Sequence, residues 1–120
     1  MKSVKLFEAN EENRKIYSII LKNKFDLEII IDKEDFKNIN AKTNLIVLGF
    51  NTFDKRACEI LIAISSLNTT SKIPILLLLG FVEMGINFPT LNNPFNVIYK
   101  PFTASNLLNA ISMIQENDVC

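Results

Sequence analysis

The segment Asn96-Val97-Ile98-Tyr99-Lys100-Pro101-Phe102 sets a lysine at the end of a short apolar run, just before a proline and an amphipathic stretch from Thr103 to Gln115. A cation on a buried strand is costly to desolvate unless it meets a polar pocket or an anion. In open parallel sheets, ligands gather at the carboxyl ends of the strands. Lys100 therefore points to a ligand or phosphoryl site at a strand end. The groups needed for other chemistry are scarce. The chain has no histidine and two cysteines, Cys58 and Cys120. Cys58 falls within a helical stripe and reads as a small apolar core side chain. Cys120 is the last residue and is expected to fray. With no histidine, no thiol at a strand end and no paired carboxylates in a cleft, acid–base and thiol mechanisms lack their usual parts. No catalytic residue, metal ligand or cofactor is assigned, and the chain is not expected to be an enzyme.

Composition narrows the class further. The 120 residues suit one domain, spanning 1–120, with 48% hydrophobic residues and nine phenylalanines to build a core without staples. Lys plus Arg and Asp plus Glu each number 13, for a net charge of zero. That balance argues against a nucleic-acid partner, which calls for a basic surface. No leader-like apolar region opens the sequence. The longest apolar run, Ile73 to Leu79, is too short to span a bilayer. A cytoplasmic protein without a membrane partner is expected.

The elements that would position Lys100 alternate between strand and helix. Strands are expected at Val4–Phe7, Leu27–Ile31, Leu45–Leu48, Ile73–Leu79 and Phe95–Tyr99. Asn10 can cap a helix from Glu11 to about Asn23, with Ile16, Ile19 and Ile20 on its apolar face. One or two helical turns are expected over Lys33–Ile39. Asp54 can cap a helix carrying the stripe Ala57, Ile60, Leu61, Ile64 and Leu67, and Leu107, Leu108, Ile111 and Ile114 mark the last helix. Strands apolar on both sides imply a sheet covered on both faces. Short connections between alternating elements imply parallel strands with right-handed crossovers. The fold class is thus α/β: a flavodoxin-like three-layer sandwich with a five-stranded parallel sheet. The segment Phe81–Pro94, which should hold the fourth helix, contains Gly85, Pro89, Asn92, Asn93 and Pro94. A short or distorted helix, or an irregular loop, is expected there.

In order and spacing, these segments resemble the receiver (CheY-like) domain of two-component response regulators over nearly the whole chain. Lys100-Pro101-Phe102 matches that family's Lys-Pro-Phe after the fifth strand. Phe7-Glu8-Ala9-Asn10-Glu11-Glu12-Asn13-Arg14 is similar to its first strand and acidic loop, Asn44 to Gly49 to its third strand, and Ile73 to Gly80 to its fourth. The resemblance implies strand order 2-1-3-4-5, a cis Lys100–Pro101 peptide, and Glu8, Gly49, Leu79 and Lys100 converging at the carboxyl ends. The family transfers a phosphoryl group to an aspartate, which needs a metal to neutralise the incoming charge. The aspartate position here is Gly49, the acidic pair is Glu8 and Ala9, and the hydroxyl position is Leu79. Lys100 alone is kept, with Glu8 a partial match. Phe50 and Asn51 offer no carboxylate, and Asp54 reads as a helix cap. The aromatic switch position falls on Val97, with Tyr99 two residues later.

The resemblance therefore implies a degenerate, atypical receiver in signal transduction that acts by phosphorylation-independent contact with a protein: a kinase, a regulator, an output domain or a second copy. The alternative is a small-ligand or anion sensor on the same fold. Two readings of Lys100 follow, a structural pair with Glu8 or an anion site formed with nearby backbone N–H groups. The charged run Glu8, Glu11, Glu12, Arg14 and Lys15 reads as a solvated helix start. The family's contact surface, its fourth helix, fifth strand and fifth helix, maps here to a region rich in apolar residues, with Phe81, Met84, Phe88 and Tyr99 as the candidate contact residues.

Overall fold

Five apolar runs become five parallel strands because each is flanked by an element that covers one of its faces. The computed structural model describes residues 1–67 and 72–117; Cys120, expected to fray, lies outside them. In chain order the elements are β1 (Ser3–Glu8), α1 (Glu11–Leu21), β2 (Asp26–Ile30), a 3₁₀ helix (Lys33–Asn38), β3 (Leu45–Phe53), α2 (Lys55–Ser65), β4 (Ile75–Val82), β5 (Phe95–Tyr99) and α3 (Ala104–Asn117). The sheet order is β2-β1-β3-β4-β5, with every neighbouring pair parallel. The Lys100–Pro101 peptide is cis. Among the described residues, no helix is long and apolar enough to cross a membrane.

Two cores flank the sheet. On one face Val4, Leu6, Leu45, Val47, Leu76 and Leu78 pack against Tyr17 and Leu21 of α1 and Leu107, Ala110, Ile111 and Ile114 of α3. On the other, Phe7, Ile46, Leu48, Phe50, Ile75, Leu77 and Leu79 meet Ala57, Leu61 and Ile64 of α2 and Phe36 of the 3₁₀ helix. The helix starts are fixed as expected. Asn10 Oδ1 accepts the Asn13 N–H at 2.9 Å, and Asp54 Oδ1 accepts the Ala57 N–H at 2.9 Å, each satisfying a donor that the helix leaves open. Cys58 is half-buried against the α2 core. Lys5, on the α2 face of β1, is buried and paired with Glu28 of β2 at 2.7 Å.

Three expectations need correction. The buried stripe of α1 is Tyr17 and Leu21 flanked by Ile20, whereas Ile16 and Ile19 are exposed. The Tyr17 ring stacks on Phe102 with centroids 5.5 Å apart, which rolls the helix onto its aromatic side. The central strands also run further than their apolar cores: β3 continues to Phe53 and β4 to Val82, with Thr52 opposite Phe81 and Phe53 opposite Val82. This ribbon projects beyond the last pairs of β1 and β5, Glu8–Gly49 and Leu79–Tyr99. Phe53 anchors it, fully buried, between Phe50 (6.0 Å between centroids) and Phe88 (4.8 Å).

The third correction concerns the fourth helix. No short or distorted helix forms between β4 and β5; the connection is the irregular loop. The Ile86 N–H closes one turn on the Glu83 carbonyl at 3.2 Å, Gly85 takes φ +85°, and no regular element follows before β5. Pro89 and Pro94 lack the N–H that a helix ladder needs, and a left-handed glycine ends a helical turn. Asn93 is buried and donates from Nδ2 to the Ile73 carbonyl at 2.9 Å, tying the loop's end to the start of β4.

Last in the sheet order, β5 is an edge strand. The Lys100 N–H reaches inward to the Leu79 carbonyl at 2.7 Å, so strand alternation turns the Val97 N–H outward. Asn96 Oδ1 accepts that outward donor at 2.8 Å.

The ribbon depends on close backbone approach at Gly80. A Cβ there would press on the Asn51 carbonyl oxygen and lie 3.2 Å from its carbon. Because the obstacle is backbone rather than a flexible side chain, Gly80→Ala is expected to destabilise the fold by about 1–3 kcal/mol, the usual cost of overpacking. Urea denaturation of the two chains checks this.

Candidate functional site

The expected site lies at the carboxyl edge of the sheet, where β1 and β5 end on either side of the projecting β3–β4 ribbon. Val4 and Leu6 pack on the α1/α3 face, so alternation along β1 turns Glu8 to that face as well. Gly49 is its register partner on β3. Lys100 follows β5 and reaches back over the same edge. Its Nζ lies 2.7 Å from Glu8 Oε1 and donates to Asn51 Oδ1 at 3.0 Å. The second carboxylate oxygen, Oε2, accepts the Asn10 N–H at 3.3 Å, and the Glu8 carbonyl accepts from Arg14 Nη1 at 3.2 Å. Asn13 Nδ2 donates to Asn51 Oδ1 at 3.1 Å and holds that amide in place. The ammonium also stands 5.7 Å from the centroid of the Tyr17 ring.

Glu8 is thus not part of a solvated helix start. Its side chain is 1% exposed and that of Lys100 is 14% exposed. A carboxylate so far from water is tolerable only with its charge matched and both oxygens engaged. Lys100 supplies the charge, and Asn10 engages the second oxygen. Arg14, half-buried on the Glu8 carbonyl, departs from that expectation too, whereas Glu12 is exposed and Lys15 and Glu11 form an exposed pair one helical turn apart at 3.4 Å. Tyr17 completes the enclosure. Burial, reinforced by the Glu8 charge, pushes its hydroxyl pKa from 10.0 up to about 12.

Gly49 gives the carboxylate its room. A Cβ at this position would lie 2.9 Å from Glu8 Cδ and closer still to Oε1. The space that a residue-49 side chain would fill is occupied by the side chain of residue 8. Ala9 is exposed, on the wall of a cleft of about 370 Å³ between the ends of β1 and β3, with Asn10, Asn51, Asp54 and Arg56 nearby. Leu79 does not face the pair. Its register partner on β3 is Phe50, one residue past Gly49, so its side chain points to the opposite face and is fully buried in the α2 core. Of the expected cluster, Glu8, Gly49 and Lys100 share a face, whereas Leu79 contributes its carbonyl to the Lys100 N–H. Among the described residues, no three His, Cys, Asp or Glu side chains are grouped so as to hold a metal ion.

Asn51 and Arg14 entered the sequence reading in other roles, as a position without a carboxylate and as part of a solvated helix start, and Asn13 was given none. Alternation was the usable signal for Asn51, since residues 49 and 51 of one strand share a face. The two α1 contacts depend on how the helix rolls and have no comparable signal.

The candidate contact residues separate. Phe81, Met84 and Tyr99 are exposed, and Phe95 joins them, whereas Phe88 is half-buried against Phe53 and Phe95. Val97 packs on the α2 core, on the same face of β5 as Tyr99.

No family profile and no curated protein matches the chain. Solved structures do. One is a signal receiver domain of two-component signal transduction (histidine kinase) from Clostridium thermocellum, at 20% identity and TM-score 0.69, covering 96% of this chain and 98% of that one. Another is a response regulator receiver modulated diguanylate cyclase from Pelobacter carbinolicus, at 17% identity and TM-score 0.67, covering 98% and 95%. A third is a CheY-like response regulator from Mesorhizobium loti, at 13% identity and TM-score 0.61, covering 94% and 98%. The fold is that of a receiver domain. Against the receiver pattern of the sequence, the lysine after the fifth strand is in place, and the carboxylate beside it belongs to β1, not β3.

Two measurements follow from the packing around this receiver-fold pocket. Gly49→Ala is expected to lower stability by about 1–3 kcal/mol, because the added methyl displaces a buried, hydrogen-bonded carboxylate; chemical denaturation reads it. Tyr17 is expected to ionise near pH 12 in spectrophotometric titration, assigned with a Tyr99→Phe variant. An acid with a raised native pKa favours the folded state fully below its unfolded pKa. That contribution should therefore be intact below pH 10 and lost as the pH rises from 10 to about 12.

Proposed function

We propose that this chain is a signalling module of receiver fold whose output does not depend on aspartyl phosphorylation, and that it acts in the cytoplasm through contact with a protein: a kinase, a regulator, an output domain or a second copy. The observation that carries this reading is the Glu8–Lys100 pair seated over Gly49. Phosphoryl transfer on this fold would need a carboxylate at position 49, a metal held by neighbouring acids, and a hydroxyl facing the same pocket. Gly49 has no side chain, Ala9 has no carboxylate, and Leu79 faces away. Such a metal site usually takes one or two carboxylates plus phosphate oxygens. Glu8 is already neutralised by Lys100, and Asp54, beside the same cleft, caps α2. Among the described residues, no assembled group supports an enzymatic role.

The exposed residues Phe81, Met84, Phe95 and Tyr99 support contact as the mode of action, since large apolar side chains left at the surface suit a partner. The Pelobacter neighbour, named as a receiver modulated cyclase, offers the analogy of a receiver acting on an output domain. Anion sensing at Lys100, the other reading of the sequence, is disfavoured in the unmodified chain because Glu8 already occupies the ammonium.

The deciding experiment has two arms. Acetyl phosphate, or beryllofluoride, with Mg²⁺ is expected to leave both the intact mass and the amide spectrum unchanged. Stoichiometric phosphorylation on any aspartate would overturn the proposal. In cells, a photo-crosslinker at position 84 is expected to give a discrete protein adduct that is lost on Phe81→Asp. Adducts confined to the α1 face would place the contact elsewhere.

A further inference from the structure

We infer that the hollow between the end of β2, the 3₁₀ helix and α2 is a binding site for a small apolar carboxylic acid, with Arg56 as the group that takes its carboxylate. The hollow lies on the α2 face of the sheet, where Phe7 points, whereas the Glu8–Lys100 pair sits on the other face. The first observation is why the space exists. The chain between β2 and β3 is covered by a 3₁₀ helix of six residues, which buries one side chain of its own, Phe36. Its tight winding, about 2.0 Å per residue, spans little of the sheet. A hollow of about 300 Å³ remains between it and α2, with Phe7, Ile31, Phe36 and Ile60 as apolar walls. Sites for small ligands are concave and mostly apolar, carry few polar groups, and begin at about this size.

The second observation is that the rim is held in place. Ile31 is 61% exposed, yet its backbone is pinned: Asp35 Oδ2 accepts the Ile31 N–H at 2.9 Å and the Asp32 N–H at 3.3 Å. A ligand's apolar body would cover this side chain without first ordering the chain that carries it, which lowers the cost of binding. The third observation is the state of the charges. Asp32, Lys33, Arg56 and Glu59 border the hollow. Asp32 is committed as a cap, its Oδ1 accepting the Glu34 N–H at 3.0 Å, and Asp54 at the start of α2 is committed in the same way to Ala57. Among the described residues, neither Arg56 nor Lys33 forms an ion pair. Two unmatched cations therefore face one uncommitted acid, Glu59, so the balance at the rim favours an anion. Arg56 is the better receiver, because its planar fork matches both oxygens of a carboxylate, whereas Lys33 offers a point charge. Apolar walls on one side of such a pair keep water from it and strengthen it.

The probes are hexanoate, hexanol and hexylamine, which share one chain and differ in charge. Each is titrated into the unmodified protein at neutral pH and constant ionic strength, and amide NMR follows binding. Hexanoate is expected to shift the signals of Ile31, Phe36, Arg56 and Ile60 in a saturable way. It should bind about tenfold more tightly than hexanol, the difference between a charge-assisted hydrogen bond and a neutral one. Hexylamine, which could meet only Glu59, is expected to bind more weakly than hexanoate. Arg56→Met keeps an unbranched side chain at an exposed position and should bring hexanoate down to the affinity of hexanol. Equal binding of hexanoate and hexanol to the unmodified chain would overturn the inference. So would tighter binding of the amine, no saturation in the millimolar range, shifts centred on Phe95 and Tyr99 instead, or an Arg56→Met chain that binds hexanoate undiminished. The comparison of the three probes needs no variant, so it decides even if Arg56→Met does not fold. The phosphoryl-donor and crosslinking experiments read other surfaces, and the inference stands or falls apart from them.

Discussion

A carboxylate sealed from water at the edge of a parallel sheet must be neutralised, and most of this molecule's peculiarities follow from that demand at Glu8. Lys100 has to reach across the sheet end to meet it, from the end of β5 to the end of β1. A side chain on residue 49 would push the carboxylate from its seat. Asn51 has to turn its oxygen toward the ammonium, and Asn13 has to hold it there. Tyr17 is then enclosed beside a negative charge and keeps its proton to high pH. A buried pair of this kind contributes little net stability, because desolvation offsets most of the attraction, yet removing one partner is costly. The pair therefore fixes one arrangement of the edge more than it strengthens the fold.

The second organising feature is the ribbon formed where β3 and β4 outrun their neighbours. It exists because Gly80 admits the Asn51 carbonyl and Phe53 fills the space beneath. Its extension and the lost fourth helix belong together. The chain leaves β4 late, turns at Gly85, and returns to β5 through a segment whose prolines rule out a helix. Phe88 is the side chain that this segment sends inward, so the α2 core stays closed while Phe81 and Met84 stay outside.

The sheet, its order and the cis peptide were legible because they rest on local signals: apolar runs, capping residues and the Lys-Pro-Phe resemblance. The pairing of Glu8 with Lys100 was legible as one of two readings, since a buried lysine needs a counter-charge. Three things were not. The roll of α1 depends on Tyr17 meeting Phe102, a contact distant in sequence. The length of β3 and β4 depends on Gly80, whose steric role shows only once the strands are paired. The facing of Leu79 depends on register, and placing it at a strand end said nothing about which side of the sheet it serves. Alternation along β3 could have paired Asn51 with Gly49, but it needed the strand to continue past its apolar core.

Asn96 carries a consequence beyond the site. By accepting the outward Val97 N–H, its side chain satisfies in cis the donor that a sixth strand would need. Exposed aromatic residues beside an open strand edge are a setting for runaway stacking of copies into fibres. Here that route is blunted at the edge's midpoint while the aromatic surface stays available. Phe95 and Tyr99 thus stand exposed beside an edge whose central donor the chain has already taken up itself.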